Sequence, residues 1–343
     1  MYDGSICWDH ADVCHRPLPE AAILLTAYDF TLANQIFRIA LLGRDSKRPI
    51  NDLLSLSSYL LQHAHRSTRT ALYSRLALLT IQILLEDAAV AKRLNEAHAS
   101  VRLCRQRQPY LPLTTGDRSL AAVTIDIMVD GINHNLRTKL DTQLYISSIG
   151  IILRLITFLS RSRTRLAYHW PELWRSLLAF MRFLIQYEEQ LRLTANIDVL
   201  VADLVSLIMV CIIQGETFLP DSAAMDDLFY KLVEFGPSLQ MFKAAYALTQ
   251  SSVAANMDVL LGVSEHFSTA LGEANGKSKS VSPREVMKAI KEGYQTLSIE
   301  TKEGADQWKP YREQDHKVEL KTITRMIVAD ARRLNSDASK RDQ

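Results

Sequence analysis

The chain has 343 residues, of which 48% are hydrophobic, and its 40 Lys and Arg residues nearly balance 38 Asp and Glu residues. With only 12 Gly and 10 Pro, this composition excludes collagen-like, low-complexity and disordered proteins. The formal net charge of +2 is too small for the overall field of the protein to attract nucleic acid.

Hydrophobic residues recur at spacings of three and four along most of the chain, which predicts a succession of helices. Proline at a first-turn position opens the first two helices, and Gly215 and Gly236 are interpreted as following helix ends. No alternating apolar and polar run flanks a hairpin turn, so no strand is predicted. The predicted helices span residues 19–42, 49–64, 68–86, 88–97, 119–140, 142–161, 171–190, 195–214 and 222–235.

Two polar stretches divide this row of helices. Residues 98–118 contain two prolines and a glycine and are predicted to form an irregular basic connector. Small, polar and basic residues at 274–283 predict a flexible linker, after which two amphipathic segments follow. The predicted organisation is a polar tail at 1–18, an armadillo-like helical domain at 19–273, the linker at 274–283, C-terminal helices at 284–335 and a frayed tail at 336–343.

Antiparallel pairs of helices that repeat in a row form an α-solenoid. The predicted fold class is therefore all-α, an α-solenoid of armadillo or HEAT type built from stacked antiparallel helices. Such a row presents a long surface, which favours a non-catalytic binding scaffold. Because the sequence begins close to an apolar helix, we expect the C-terminal part of a longer array, with apolar surface exposed at its first layer.

The cysteines indicate a reducing compartment. A chain of this size with only four cysteines has no disulfide framework, so we expect free thiols. The polar, acidic N-terminus lacks the basic start and apolar run of a signal peptide, which places the protein in the cytosol or on its membranes. Residues 7–15 contain a set of soft metal ligands, but its adjacent Cys-His pair makes tetrahedral coordination awkward, and no metal is assigned to Cys7, His10, Cys14 and His15.

Two apolar stretches, residues 144–159 and 197–213, are candidates for transmembrane helices. Arg154 interrupts the first, and Asp198 and Asp203 interrupt the second. Both stretches are also shorter than the ~20 residues that a bilayer crossing needs. A buried solenoid helix gives the same pattern, because neighbouring helices cover it on two sides. An integral membrane protein is kept as an alternative to the scaffold.

A second alternative is a helical metal-dependent enzyme. Asp126, Asp130 and His134 lie four residues apart, so they project from one helix face and could hold a cation or perform acid–base work. The sequence contains no phosphate-binding loop, dinucleotide fingerprint or nucleophile motif. No catalytic or cofactor-binding residue is therefore assigned.

Basic residues cluster in the connector and again between residues 161 and 165, just before two tryptophans. Polybasic surfaces bind anionic lipid headgroups or acidic segments, although internal salt bridges and helix C-termini use the same cations. The two tryptophans share a helix face, which is also typical of packing between layers. The candidate contacts for a partner or for lipid are Arg102, Arg105, Arg107, Arg118, Arg163, Arg165, Trp170 and Trp174.

A family resemblance rests on TALYSRLALL (70–79), RLCRQRQPYLP (102–112), INHNLRTKLD (132–141), RTRLAYHWPELWRSLL (163–178) and GETFLPDSAAMDDLFYKLVE (215–234). These segments resemble the C-terminal region of the Golgi-associated armadillo-like helical domain-containing proteins. The resemblance covers residues 25–250, and RTRLAYHWPELWRSLL is its most specific part.

The resemblance implies a non-catalytic cytosolic adaptor that is peripheral on the Golgi membrane. Its implied partners are a phosphatidylinositol 4-kinase of the type III beta kind and the large Golgi Arf guanine-nucleotide exchange factor, beside the anionic Golgi membrane surface. The adaptor would support phosphatidylinositol 4-phosphate supply, Golgi maintenance and secretion. The family brings no catalytic residue, cofactor or nucleic acid with it.

Overall fold

The structure is a computed structural model, and it describes residues 19–43, 48–105, 111–114, 118–137, 140–246, 251–275, 290 and 308–341. Within these residues, the predicted all-α class is confirmed, because helices follow one another along nearly the whole chain. The helices are α1 (Ile23–Ala33), α2 (Gln35–Leu42), α3 (Pro49–His63), α4 (Thr68–Leu85), α5 (Ala88–Glu96), α6 (Leu120–His134), α7 (Thr142–Arg161), α8 (Trp170–Gln186), α9 (Glu188–Leu191), α10 (Ile197–Phe218), α11 (Ser222–Tyr246), α12 (Ser251–Asn275) and α13 (Lys317–Arg341).

The first predicted helix is divided in two at Asn34. The backbone of Asn34 is extended, and its side-chain oxygen accepts hydrogen bonds from the amides of Ile36 and Phe37 at 2.8 and 3.2 Å. An asparagine in this position caps the free amides of a following helix. Residues 19–42 therefore form a 3-10 turn (Pro19–Ala22) and two α-helices that are separated by the extended backbone of Asn34.

The connector contains a short hairpin that the sequence did not predict. β1 (Val101–Arg102) pairs antiparallel with β2 (Leu113–Thr114), with Val101 opposite Thr114. The amides of Arg102 and Cys104 also donate to the hydroxyls of Ser55 and Ser58 on α3, at 2.9 and 2.8 Å. Strands of two residues are too short to show alternation, so long-range hydrogen bonds decide this conformation.

Gly215 and Gly236 lie inside helices, which corrects their interpretation as residues after helix ends. A Cβ on Gly215 would lie 2.5 Å from the sulfur of Met225, and a Cβ on Gly236 would lie 2.5 Å from the hydroxyl of Ser264. The two glycines therefore allow α10 to approach α11 and α11 to approach α12. Both helices run beyond them, to Phe218 and Tyr246.

The two candidate transmembrane helices, α7 and α10, pack against each other. By length and composition alone, both are apolar enough to cross a membrane, yet most of each is buried inside the protein. α7 also packs on α4, and α10 on α11 and α12. The guanidinium of Arg154, which is 4% exposed, donates to the Glu86 carboxylate at 3.1 Å and to the Lys309 carbonyl at 2.8 Å. The charge in the middle of α7 is thus paired within the folded chain.

Residues 308–341 return to the beginning of the described chain. α13 packs against residues 19–22 and against α4. The buried carboxylate of Asp330 accepts a hydrogen bond from the Tyr73 hydroxyl at 2.8 Å and forms an ion pair with Arg69. The guanidinium of Arg75 bonds Glu319 at 2.6 Å. Polar contacts therefore connect this C-terminal segment to α4 at two positions along α13.

The predicted polar tail, most of the linker and the first C-terminal helix lie outside the described residues, apart from residue 290. The second predicted C-terminal helix is present as α13 and continues to Arg341, past the frayed tail expected from residue 336. No glycine or proline occurs after Pro310, so the sequence contains no strong helix breaker that would end α13 earlier.

Candidate functional site

A cleft of about 500 Å³ opens between the connector, α6 and the start of α8. It brings together two groups of residues that the sequence treated as competing candidates, the connector arginines and the acidic face of α6. The residues around it are Gln62, Leu103, Cys104, Arg105, Arg118, Asp126, Asp130, Asn133, His134, His169 and Glu172.

Helix α6 supplies the floor of the cleft. The Ser119 hydroxyl caps its first turn by accepting from the amide of Ala122 at 3.2 Å. The apolar residues of α6 are buried against α3, α5, α7 and α8. Because Asp126, Asp130 and His134 are spaced by four, they share the remaining polar side of the helix and line the cleft.

Asp126 is already committed to partners within the chain. Its carboxylate forms an ion pair with the Arg118 guanidinium and a hydrogen bond with the Tyr168 hydroxyl. Burial raises the pKa of Asp126, while Arg118 and Tyr168 lower it, and the net shift is upward. Arg118 therefore serves an internal salt bridge and also borders the cleft.

Asp130 differs from Asp126. Within the described residues, its carboxylate has no hydrogen bond and no ion pair. Its pKa is raised to about 6, mainly by burial and further by the negative charges of Asp126 and Glu172. The positive charges of Arg105 and Arg118 lower the pKa and offset part of this rise. A cation brought to this carboxylate would replace lost hydration with an ion pair. The cleft therefore suits a partner segment that places a basic side chain against Asp130 and an acidic side chain against the exposed Arg105.

The raised pKa of Asp130 predicts a pH-dependent effect on stability. Since the folded-state pKa is above the unfolded one, the cost of ionising Asp130 is fully present above about pH 6 and fades as the pH falls toward about 4. We expect Asp130→Asn to raise the thermal unfolding midpoint at about pH 8 and to leave it nearly unchanged at about pH 4.

Differential scanning calorimetry at the two pH values measures this difference. Glu189→Gln, which removes an exposed carboxylate far from the cleft, is the matched control and should shift neither midpoint. An Asp130→Asn variant that is less stable than the wild type at the higher pH would contradict the assignment of Asp130 as a desolvated anion.

The alternative of a metal-dependent enzyme requires a set of metal ligands. In the described part of the chain, no group of three or more His, Cys, Asp or Glu residues is placed to hold a metal ion. The third residue of the predicted trio, His134, lies beside His65, with ring centroids 5.1 Å apart. Burial and the neighbouring cations lower the pKa of His134. The Cys and His residues at 7–15 lie outside the described residues.

The remaining basic candidates do not line the cleft within the described part of the chain. Arg102 is exposed on β1, and its guanidinium donates to the Leu111 carbonyl at 3.3 Å. Arg163 is exposed with a positive φ of 48°, and Arg165 donates to the Pro220 carbonyl at 2.8 Å. Arg107 lies outside the described residues. Only Arg105 and Arg118 of the six candidate arginines border the cleft within the described chain.

Trp170 and Trp174 are core residues, which corrects their assignment as candidate contacts. Their side chains are 1% and 2% exposed, and the rings stack with centroids 5.5 Å apart. Trp170 also contacts Phe218 of α10, with ring centroids 5.1 Å apart, and its indole nitrogen donates to the Leu166 carbonyl at 3.1 Å. The pair fixes the start of α8, and so positions His169 and Glu172 at the cleft.

Sequence reasoning missed the residues that reach the cleft from other elements. Gln62 comes from α3 and Cys104 follows β1, and no spacing pattern connects either of them to α6. His169 and Glu172 lie within the basic and aromatic segment that was singled out, so their proximity to Trp170 was the available signal. The raised pKa of the buried Cys104 thiol, about 11, makes it an uncharged wall of the cleft at neutral pH.

Comparison with known proteins gives a consistent set of similarities. Residues 118–333 match the family described as armadillo-like helical domain-containing protein 3, C-terminal. The chain is 27% identical over 328 residues to a Schizosaccharomyces pombe protein whose name describes it as a membrane protein, covering 94% of this chain and 53% of the relative. It is 26% identical over 287 residues to human armadillo-like helical domain-containing protein 3, and 25% identical over 282 residues to the Danio rerio protein of that name, in each case over 76% of this chain and 40% of the relative.

The chain therefore spans about half the length of these relatives, or less. No solved structure matches it. The matched segment includes α6, α8 and the whole acidic face of the cleft, whereas the arginines at 102, 105 and 107 precede it.

Proposed function

The chain belongs to the family of armadillo-like helical domain-containing protein 3, and from this premise we propose that it is a non-catalytic adaptor at Golgi membranes. The adaptor recruits or supports a phosphatidylinositol 4-kinase of the type III beta kind and a Golgi Arf guanine-nucleotide exchange factor. In this role it contributes to phosphatidylinositol 4-phosphate supply, Golgi maintenance and secretion. It resides in the cytosol and binds the membrane peripherally.

The observation that carries the proposal is the convergence of the basic connector with the start of α8 at one open cleft. Of the residues that the sequence offered as contacts for a partner, Arg105 and Arg118 line this cleft, beside His169 and Glu172 at the start of α8. The cleft offers side chains of both charges on a rigid helical support, which is the arrangement that orients a polar peptide segment. The name of the Schizosaccharomyces pombe relative, a membrane protein, agrees with a location at membranes.

The recruitment surface is tested by reversing the connector charge. With Arg102, Arg105 and Arg107 replaced by Glu, we expect the chain to lose the kinase or the exchange factor in co-purification and to leave Golgi membranes. The helical content measured by circular dichroism should stay the same, because Arg102 and Arg105 are exposed. Wild-type chain bound to membranes should be released by alkaline carbonate, as a peripheral protein is.

The matched control reverses three exposed arginines of α13, Arg325, Arg332 and Arg333, which lie on another surface. This variant should be recruited like the wild type. Recruitment that persists in the connector variant would overturn the proposed surface. The connector variant could instead lose binding to protein-free vesicles that contain phosphatidylinositol 4-phosphate and still bind its protein partners. In that case the connector would be a lipid-binding surface.

A further inference from the structure

A short segment without regular secondary structure, residues 308–312, lies against α1, the end of α4 and α7. Its two aromatic side chains, Trp308 and Tyr311, are partly buried against the core. The other three residues of the segment are exposed. We call residues 308–312 the strap, and the groups that contact it on α1, α4 and α7 the strap site.

The strap site binds the backbone of the strap through two charged side chains. The Arg154 guanidinium donates to the Lys309 carbonyl at 2.8 Å. The Glu86 carboxylate accepts a hydrogen bond from the Tyr311 amide at 2.6 Å. A donor and an acceptor that face a carbonyl and an amide two residues apart hold an extended segment in one register, as main-chain hydrogen bonds do in peptide recognition.

The two aromatic side chains of the strap have separate contacts. The Trp308 ring contacts the guanidinium groups of Arg154 and Arg161, whose central carbons lie 5.6 and 5.2 Å from the ring centroid. The Tyr311 hydroxyl shares a hydrogen bond of 2.5 Å with the hydroxyl of the buried Tyr28, and the two rings meet edge to face. The strap site therefore suits aromatic side chains three positions apart, the second with a hydroxyl.

Bonds that do not involve the strap hold the strap site in place. The Arg154 side chain, which is 4% exposed, also forms an ion pair with Glu86 at 3.1 Å and donates to the Gly150 carbonyl at 3.1 Å. α4 packs on both α1 and α7, so the three helices hold Tyr28, Glu86 and Arg154 in a constant arrangement. A site that is already formed binds a ligand without the cost of ordering itself.

The buried charge of Arg154 also favours a binding role. A buried ion pair adds little to stability compared with apolar residues of similar volume, so stability alone gives no reason for a charge in the middle of the apolar helix α7. Its bond to the strap backbone gives one.

The strap itself indicates which segments the site accepts. It is extended at its end, at Arg312, and Pro310 fixes one backbone angle between the two aromatic residues, which reduces the entropy lost on binding. A segment of another protein with the same pattern would meet the same groups. The strap excludes it by mass action, because its covalent connection to α13 gives it a high effective concentration at the site.

We propose that Tyr28, Glu86, Arg154 and Arg161 form a peptide-binding site that the strap occupies in cis, and that the site binds an extended partner segment with aromatic residues three positions apart when the strap is displaced. The strap is then an autoinhibitory element of this site. The proposal does not depend on the cleft or on the identity of the partners recruited there.

The test uses the full 343-residue chain and a fluorescein-labelled peptide with the sequence of residues 308–316. In the strap variant, Trp308→Ala with Tyr311→Ala, the strap loses both aromatic contacts and the site becomes accessible. Fluorescence anisotropy should show that the peptide binds the strap variant about tenfold or more tightly than it binds the wild type. A peptide with alanine at both aromatic positions should bind neither chain.

Further variants connect this binding to the strap site. Added to the strap variant, Arg161→Ala and Tyr28→Phe should each weaken peptide binding by about threefold or more. With Tyr28→Phe, a peptide that carries Phe in place of Tyr should bind as well as the original peptide, because the hydroxyl has lost its partner. Arg165→Ala is the matched control for Arg161→Ala, since Arg165 is exposed and bonds the Pro220 carbonyl instead.

Three results would overturn the proposal. They are no binding of the peptide to the strap variant, equal binding to the strap variant and the wild type, and binding that Arg161→Ala and Tyr28→Phe leave intact. Circular dichroism checks that the strap variant is folded, and Trp308→Ala alone replaces it if helical content is lost. A wild-type dimer in analytical ultracentrifugation that the strap variant does not form would show that the strap binds a second copy, which would overturn occupancy in cis.

Discussion

Replacement of Asp330 by alanine is expected to lower the free energy of unfolding by about 3 kcal/mol or more. The Asp330 side chain is 1% exposed and holds both the Tyr73 hydroxyl and the Arg69 guanidinium. The substitution leaves a buried hydroxyl and a largely buried cation without their partner, and this uncompensated desolvation is the main cost. Urea unfolding of the wild type and the variant measures the difference.

Two controls separate this effect from a general sensitivity of the C-terminal segment. Tyr73→Phe removes one hydrogen bond and keeps the ion pair, so it should cost only about 1 kcal/mol. Asp315→Ala removes an exposed carboxylate that pairs with Lys309, and it should leave the unfolding midpoint nearly unchanged. If Asp330→Ala behaved like Asp315→Ala, α13 would not be packed on α4 as described.

The second large effect is expected at Trp170. Trp170→Ala should lower the free energy of unfolding by about 3–5 kcal/mol, because it removes a fully buried indole and leaves a cavity between α8 and α10. The indole contacts Trp174, Tyr168 and Phe218. Chemical unfolding followed by far-ultraviolet circular dichroism measures the loss, since removing the indole also changes the fluorescence.

Arg165→Ala provides the matched control for Trp170→Ala. Arg165 lies in the same segment but is exposed, and its hydrogen bond to the Pro220 carbonyl contributes little, so the unfolding midpoint should move only slightly. A Trp170→Ala variant with wild-type stability and impaired partner binding would show that the indole is a contact residue. The core position described above would then be wrong.

Local sequence signals predicted the helices well and the helix ends less well. Spacing located α3, α4, α5 and α7 to within one or two residues, and the first three of them begin at a first-turn proline or after a capping side chain. The glycines at 215 and 236 were misread, since a glycine that ends a helix and one that admits a neighbouring helix have the same appearance in sequence. Only the contacts with Met225 and Ser264 distinguish the two roles.

The cleft was predictable in part. The four-residue spacing of Asp126, Asp130 and His134 correctly placed them on one face of α6, whereas of the connector arginines only Arg105 and Arg118 border the cleft within the described residues. The ion pair between Arg118 and Asp126 depends on the direction in which the connector runs back to α6. This direction is set by the hairpin and by the hydrogen bonds to Ser55 and Ser58, which are long-range and have no periodic signature.

The return of residues 308–341 to the first layers has a mechanical consequence. Tyr73 and Asp330 are 257 positions apart, and Tyr28 and Tyr311 are 283 apart, yet each pair is in contact. In an open row of helical layers, each layer touches only its neighbours, so a pulling force can detach them one after another from either end. Here a force on α1 also loads α13 and the segment before it. The first layers and the C-terminal segment therefore resist extension together.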